Sequence, residues 1–285
     1  MEMVHFIPPG QRKIAVLAAQ ADDAPVLISG SSGTGKGAMA RWIHANGPRA
    51  IYPFIVADRD KPLVQQMAQA QGGTFMVSDL GERPLGEQMV LLNFLNTRSV
   101  PSDEGQMPRL LNVRIIATTD QDLEGRASGG LFNSSLFEKF GNYKIEMPAL
   151  TERSDEFEDL VYGVMTEITR ELHKEHLRGF TSAAWAKLRG YEWPGNLREL
   201  RNVLRMAIVS AKGDEILDSD LPDLGNETID FRATREEFEK IYLLELLKSY
   251  DWQIDKTCRA SHLDEQTLMA KIQKYGISAD KSISP

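Results

Sequence analysis

The chain has 285 residues, 42% of them apolar and 26% charged, with a formal net charge of −8; that is the balance of a globular protein of one large or two to three small domains. The acidic balance argues against a general nucleic-acid binder, which carries a broad basic surface. No apolar run reaches the roughly 18 residues of a membrane span, no basic-then-apolar leader is seen, and the single cysteine, Cys258, excludes an internal disulfide, so a cytoplasmic location is expected.

Residues 26–37 read VLISGSSGTGKG. A short apolar run ends in Gly30, Ser31, Ser32, Gly33, Thr34, Gly35 and Lys36, and a helical stretch follows from Gly37. Strand, glycine loop, lysine and helix are the layout of a phosphate-binding loop. Several backbone N–H groups must meet the phosphate oxygens together, so bulky side chains have to be absent. The helix that follows turns its positive end toward the anion, and Lys36 adds a point charge. The residue after the lysine is normally Ser or Thr, whose hydroxyl holds magnesium; here it is Gly37.

Further along, the pattern predicts strands at Pro25–Ser29, Phe54–Ala57, Thr74–Ser78, Val113–Thr118 and Tyr143–Met147. Helices are predicted between them at Gly37–Asn46, Pro62–Gln69, Leu85–Asn96 and Asn133–Lys139. Such alternation implies a parallel sheet covered on both faces. From Glu156 onward the strands are expected to stop. Helices are predicted at Glu156–His173, Ser182–Leu188 and Leu197–Ala211. His173 and His176 stand three apart, a spacing that on a helix would put them on one face, where a solvated face is the expectation rather than a metal site. Residues 213–232 are acidic and turn-rich and read as a linker. An amphipathic helix is predicted at Arg235–Tyr250, then shorter ones at Asp255–Ser261 and Glu265–Tyr275, with Cys258 as a small buried apolar residue.

Several of these stretches together resemble the sigma-54-dependent bacterial enhancer-binding proteins, which are AAA+ ATPases. GSSGTGKG at 30–37 matches the first nucleotide motif, and Gly72-Gly73-Thr74-Phe75-Met76-Val77-Ser78-Asp79 is similar to the second. Ile115–Asp120 resembles the first sensor strand, and Pro148–Arg153 the junction to the helical lid. Trp193-Pro194-Gly195-Asn196-Leu197-Arg198-Glu199-Leu200 resembles the second sensor, and the C-terminal helices a Fis-like helix-turn-helix. The resemblance implies an α/β AAA+ P-loop core with a parallel sheet at 1–150. An all-helical lid at 151–213, a linker at 214–232 and a C-terminal helix-turn-helix at 233–285 would follow. It further implies ATP or ADP as cofactor, held by residues 30–37 and Arg198, and self-association as a dimer or ring.

The departures from the family pattern are as informative as the matches. The second motif normally ends in two acids, one orienting magnesium and one polarising water; here they are Ser78 and Asp79, which leaves these two as the magnesium candidates of an incomplete site. The sensor asparagine is replaced by Asp120. The two arginines that reach a neighbouring subunit's γ-phosphate correspond to Asn133 and Lys139. Asp79, Asp120 and Lys139 are thus the remaining candidates for catalytic positions, and hydrolysis is expected to be weak or absent. The family's long insertion with its Gly-Ala-Phe-Thr-Gly-Ala loop is missing as well, since only Asp58–Gln71 separates the second strand from the second motif. With the glycine loop beginning at residue 30, no sensory domain is expected ahead of it.

At the DNA-binding end, residues 251–285 hold five acids (Asp251, Asp255, Asp264, Glu265, Asp280) and five bases (Lys256, Arg259, Lys271, Lys274, Lys281). Phosphate neutralisation supplies most nonspecific affinity, so DNA is expected to bind only weakly to a single module. Lys256, Arg259, Gln266, Thr267 and Lys271 are the candidate contacts. Two readings stay open. In one, an ATP-binding transcriptional regulator oligomerises under nucleotide control, binds DNA and does not activate sigma-54. In the other, a pseudo-ATPase scaffold or anti-activator co-assembles with an intact AAA+ regulator and makes no DNA contact.

Overall fold

Five short apolar runs build one parallel sheet, because each is followed by a helix that returns the chain to the same edge. The computed structural model describes residues 6–101, 107–224 and, between 240 and 277, all but 241, 245, 249 and 262. Two compact units are present: Met1–Val164 with Glu192–Asn202, and Met165–Tyr191 with Val203–Pro285.

In the first unit the elements run α1 (Pro9–Gln20), β1 (Val26–Ser29), α2 (Lys36–Ala45), β2 (Phe54–Val56), α3 (Leu63–Gln69), β3 (Thr74–Val77) and α4 (Leu85–Thr97). They continue through β4 (Ser99–Val100), β5 (Arg109–Leu110), β6 (Arg114–Thr119), α5 (Leu123–Ser128), α6 (Ser134–Lys139) and β7 (Lys144–Glu146). The strand order is β2-β3-β6-β1-β7, all parallel. Side chains alternate cleanly across it. Leu27, Phe75, Val77, Ile115 and Ala117 face one layer, where Leu63 and Met67 of α3, Leu91 and Phe94 of α4, and Leu136 of α6 cover them. Val26, Ile28, Met76, Ile116 and Ile145 face the other, under Ala15 and Ala18 of α1 and Met39 and Ile43 of α2.

The helix α1 was not among the predicted elements. Pro9 opens it at a position where the missing N–H costs nothing, and Ala15, Ala18 and Ala19 form its buried stripe, with Ile14 packed at its margin. Its last turn is held from the sheet. Arg114, 1% exposed, donates to the carbonyl of Ala18 and, at 3.2 Å, to that of Ala24. Burial pushes the Arg114 guanidinium down to about 10.

The segment between β2 and β3 is short, as expected. Asp58–Lys61 turn, and α3 then buries Leu63, Gln66 and Met67. Gln66 fastens the turn by accepting from Asp58 N at 2.7 Å and donating to Lys61 O at 2.9 Å. Residues 58–71 are thereby taken up by this turn and α3 and carry no projecting loop.

The helices α7 (Phe157–Glu171), α8 (Ser182–Arg189) and α9 (Asn196–Ser210) follow. Three expectations fail in this part of the chain. Strands do not stop at Glu156: β8 (Gly179–Phe180) pairs in parallel with β9 (Glu215–Ile216). The stretch read as a linker is ordered structure up to residue 224, because Ile216, Leu221 and Leu224 are buried and Lys187 Nζ donates to the carbonyls of Asp218 and Leu221; its remainder, 225–232, lies outside the described residues. The helix predicted to run through His173 ends at Glu171, and His173 sits in a left-handed turn (φ 54°), so His173 and His176 do not share a helix face. Within the second unit Lys174 Nζ caps the end of α9, donating to the carbonyls of Ile208, Val209 and Ala211 at 3.0, 2.7 and 3.2 Å.

Of the helix predicted at Arg235–Tyr250, residues 235–239 lie outside the described residues, and the described residues of 240–248 are helical. The helices α10 (Ile254–Ser261) and α11 (Glu265–Tyr275) follow. Leu243, Leu247, Leu268 and Ile277 are their common core, with Trp252 and Cys258 packed against it. Cys258 is half-buried rather than fully enclosed. Among the described residues no helix is long and apolar enough to cross a membrane.

Candidate functional site

In an open parallel sheet the strand order brings particular loops together at the C-terminal edge. Here β1 lies between β6 and β7, and β6 is flanked by β3. The glycine loop after β1, Ser78 and Asp79 after β3, and Asp120 after β6 therefore emerge side by side. Register reinforces this: Ser29 pairs with Thr119 and Val77 with Ala117, and Gly30 N donates to Thr119 O at 3.2 Å.

Two glycines in the loop are required by space. Gly30 has φ 142°, and a Cβ there would stand 2.2 Å from Met147 O. At Gly33, with φ 81°, a Cβ would stand 2.1 Å from Gly195 O. Thr34, 1% exposed, donates to Ser31 O at 2.9 Å and braces the turn. The helix α2 then starts at Lys36, aiming its first N–H groups into the loop. Lys36 Nζ donates back to Gly30 O at 2.5 Å and to Ser31 O at 2.8 Å. Burial pushes its ammonium below the usual lysine range, while Asp120 and then Asp79 pull it up and Arg198 adds to the lowering. Lysine, both acids and Arg198 thus share one electrostatic environment.

The second-sensor turn is part of this loop's wall. Trp193 is buried with its ring centroid 6.2 Å from that of Phe157. Asn196, 4% exposed and left-handed at φ 53°, accepts from Leu150 N at 2.7 Å and donates to Ser32 O at 2.9 Å. Arg198 N donates to Gly33 O at 3.1 Å, and its guanidinium to Ser32 Oγ at 3.4 Å. Glu199 accepts from Gly195 N at 2.7 Å. Asn196 is a key tie that was not among the candidate site residues, although it stands inside the quoted motif. Asn196→Ala removes one buried and one part-buried bond and places alanine at positive φ. A loss of about 2–4 kcal/mol is expected, read as a fall in denaturation midpoint with unchanged slope.

The remaining catalytic candidates are differently employed. Asp79 is left-handed (φ 51°) and pairs with Arg59 Nη2 at 3.1 Å; the same nitrogen reaches Glu82 Oε2 at 2.7 Å. Asn133, which the family resemblance aligns with a finger arginine, is the N-cap of α6: its Oδ1 accepts from Leu136 N at 2.9 Å and its Nδ2 donates to Met89 Sδ at 3.3 Å. Lys139 is exposed in the last turn of that helix, where a cation suits the helix dipole.

The magnesium implied by the family is poorly matched by the donors present. A hard cation of this kind wants oxygen ligands, usually one or two carboxylates beside phosphate. Gly37 has no hydroxyl, Ser78 is neutral, and Asp79 is already engaged by Arg59. Among the described residues no group of three or more His, Cys, Asp or Glu is placed to hold a metal ion.

At the other end of the chain, Lys256 and Arg259 are exposed on α10, and Gln266 is exposed in the first turn of α11. Thr267 and Lys271 are half-buried. Asp264 caps α11, its carboxylate accepting from Thr267 N at 2.8 Å and from Thr267 Oγ1 at 2.7 Å. These bonds hold the Asp264 carboxyl below its ordinary range. The Thr267 hydroxyl is thus committed to the cap.

Comparisons with known proteins agree along the chain. Residues 11–150 match the sigma-54 interaction domain, 151–238 the AAA+ ATPase lid domain, and 234–275 the bacterial regulatory protein domain of the Fis family. The chain is 29% identical to regulatory protein AtoC of Escherichia coli (strain K12), over 89% of this chain and 63% of that one. It is 35% identical to the DNA-binding transcriptional regulator NtrC of Escherichia coli (strain K12), over 69% of this chain and 47% of that one. Among solved structures, NtrX from Brucella abortus in complex with ADP superposes with a TM-score of 0.64 at 26% identity, covering 94% of this chain and 67% of that chain. The same protein in complex with ATP gives a TM-score of 0.64 at 25% identity, covering 97% and 68%. The chain spans 63% of the length of AtoC and of two alginate regulators it also matches.

Proposed function

This chain belongs to the sigma-54-dependent bacterial enhancer-binding protein family, and from that premise we propose that it is an ATP-binding transcriptional regulator whose nucleotide sets its self-association and DNA binding. The observation that carries this reading is the contrast within one site. The binding half is built: the glycine loop is tied to Lys36, Asn196 and the Arg198 backbone. The hydrolytic half is replaced at Ser78, Asp120, Asn133 and Lys139. Relatives solved with ADP and with ATP support the choice of ligand. Asp58–Gln71, absorbed into a turn and α3, leaves nucleotide-driven motion without a lever on the sigma-54 polymerase, so the proposed output is DNA occupancy and not polymerase remodelling.

The test is solution mass measured during titration with ATP and ADP, with and without DNA. Nucleotide is expected to raise the mass, and DNA retention to require the larger species. Mass and DNA retention that ignore nucleotide would sink the reading. One observation favours a scaffold without DNA contact, co-assembling with an intact AAA+ regulator: Asp264 and Glu265 place two acids at the start of the helix expected to enter the groove, where phosphate repels them. Mass that responds to nucleotide, with no retention on DNA at low salt, would select that alternative.

A further inference from the structure

We propose that nucleotide binding at this site does not use a divalent cation, and that the Arg59 guanidinium supplies the positive charge that balances the one acid left from the metal motif. The inference rests on the nucleotide reading and concerns the form in which the nucleotide is taken.

Magnesium at such a site offsets phosphate charge and is usually anchored by one or two carboxylates together with phosphate. Three positions would anchor it here, and each is closed in a different way. Gly37 lacks the hydroxyl although there is room for one: a Cβ at that position would meet only Met76 Cε, at 3.7 Å. The hydroxyl is absent without any steric need for glycine. Ser78 carries no charge. Asp79 offers a carboxylate but is paired with Arg59, which comes from the turn after β2. Arg59 is held in that place by a second carboxylate, Glu82, whose other oxygen accepts from Gln121 Nε2 at 3.4 Å. The two acids raise the affinity of the guanidinium for its proton, Glu82 contributing most. A guanidinium stays charged at any working pH and makes two carboxylate contacts at once, so a cation approaching Asp79 would have to displace it. The phosphates would instead meet the cations of Lys36 and Arg198, which need no metal.

The test is calorimetric titration of the full chain with ATP and ADP, in excess magnesium and again with magnesium chelated. The expected result is an affinity that agrees between the two conditions within about threefold. Arg59→Gln is expected to weaken binding in chelator and to make magnesium improve it. The triple change Gly37→Thr, Ser78→Asp and Arg59→Gln is expected to create a magnesium response of about tenfold or more. Arg59 is half exposed, so its loss should leave the melting curve nearly unchanged, and the melting curve checks this in each variant. Binding by the unmodified chain that weakens more than about tenfold on chelation overturns the proposal while leaving the nucleotide reading standing. Absence of binding in both conditions overturns the nucleotide reading and this one with it.

Discussion

Turnover of ATP by the purified chain is expected to lie far below about 1 s⁻¹, the low end of ordinary enzymes, even at saturating nucleotide. Phosphoryl transfer depends on positioning and on charges placed around the transferred group. Several of those charges are absent together here. Ser78 cannot anchor a metal, Asp120 brings a negative charge to a sensor position, and Asp79 is held by Arg59 at 3.1 Å. The finger position is the largest single loss, since a trans arginine contributes on the order of 10³–10⁵ in rate. Asn133 is also in use, capping α6 through Leu136 N. Asn133→Arg should therefore cost about 1 kcal/mol of stability without restoring turnover, and Ser78→Asp alone should do no better. Phosphate release by the unmodified chain at several turnovers per second would refute this account.

The second large effect is on binding. Lys36→Ala should weaken ATP and ADP by roughly 10- to 100-fold, the scale of a charge-assisted contact of about 1.5–3 kcal/mol. Lys36→Arg should not rescue it, because a planar fork does not fit where a compact ammonium reaches two loop carbonyls. A pH dependence should accompany the loss. Burial lowers the Lys36 pKa, and a bound phosphate would raise it again. Affinity of the unmodified chain is then present below the lowered value and falls as pH rises through it. Calorimetry across pH reads both effects; an alanine variant that binds as tightly as the parent would remove Lys36 from the site.

The core sheet was legible because each strand is a compact apolar run closed by a turn signal, and its ends agree with prediction to within a residue or so. The glycine loop was legible for the same reason: composition and flanking elements state the same thing. What escaped had weaker local marks. The strands β8 and β9 are two residues each and pair across the chain from Gly179 to Glu215, too short for any period to register. The acidic stretch after residue 213 read as a linker because its buried apolar residues, Ile216, Leu221 and Leu224, are spaced too irregularly to show. Arg59 was invisible for another reason. Its partner stands twenty positions away, and only the pairing of β2 with β3 brings them together. Asn133 carries a helix-cap signature in the sequence itself, since Asn preceding a short helical stretch is a start signal.

The fit between Gly33 and Gly195 limits how this chain can drift. A methyl group on Gly33 would overlap the Gly195 carbonyl, and one on Gly195 would stand 2.7 Å from Glu199 Cβ. Asn196, beside them, is fastened at both ends. Each of the three is constrained by its own neighbours: Gly33 by Gly195, Gly195 by Glu199, and Asn196 by Leu150 and Ser32. At Gly37, by contrast, a Cβ would meet only Met76 Cε at 3.7 Å, and Lys139 is exposed. Substitution should therefore be tolerated at those two positions far more readily than at the seat for the phosphates.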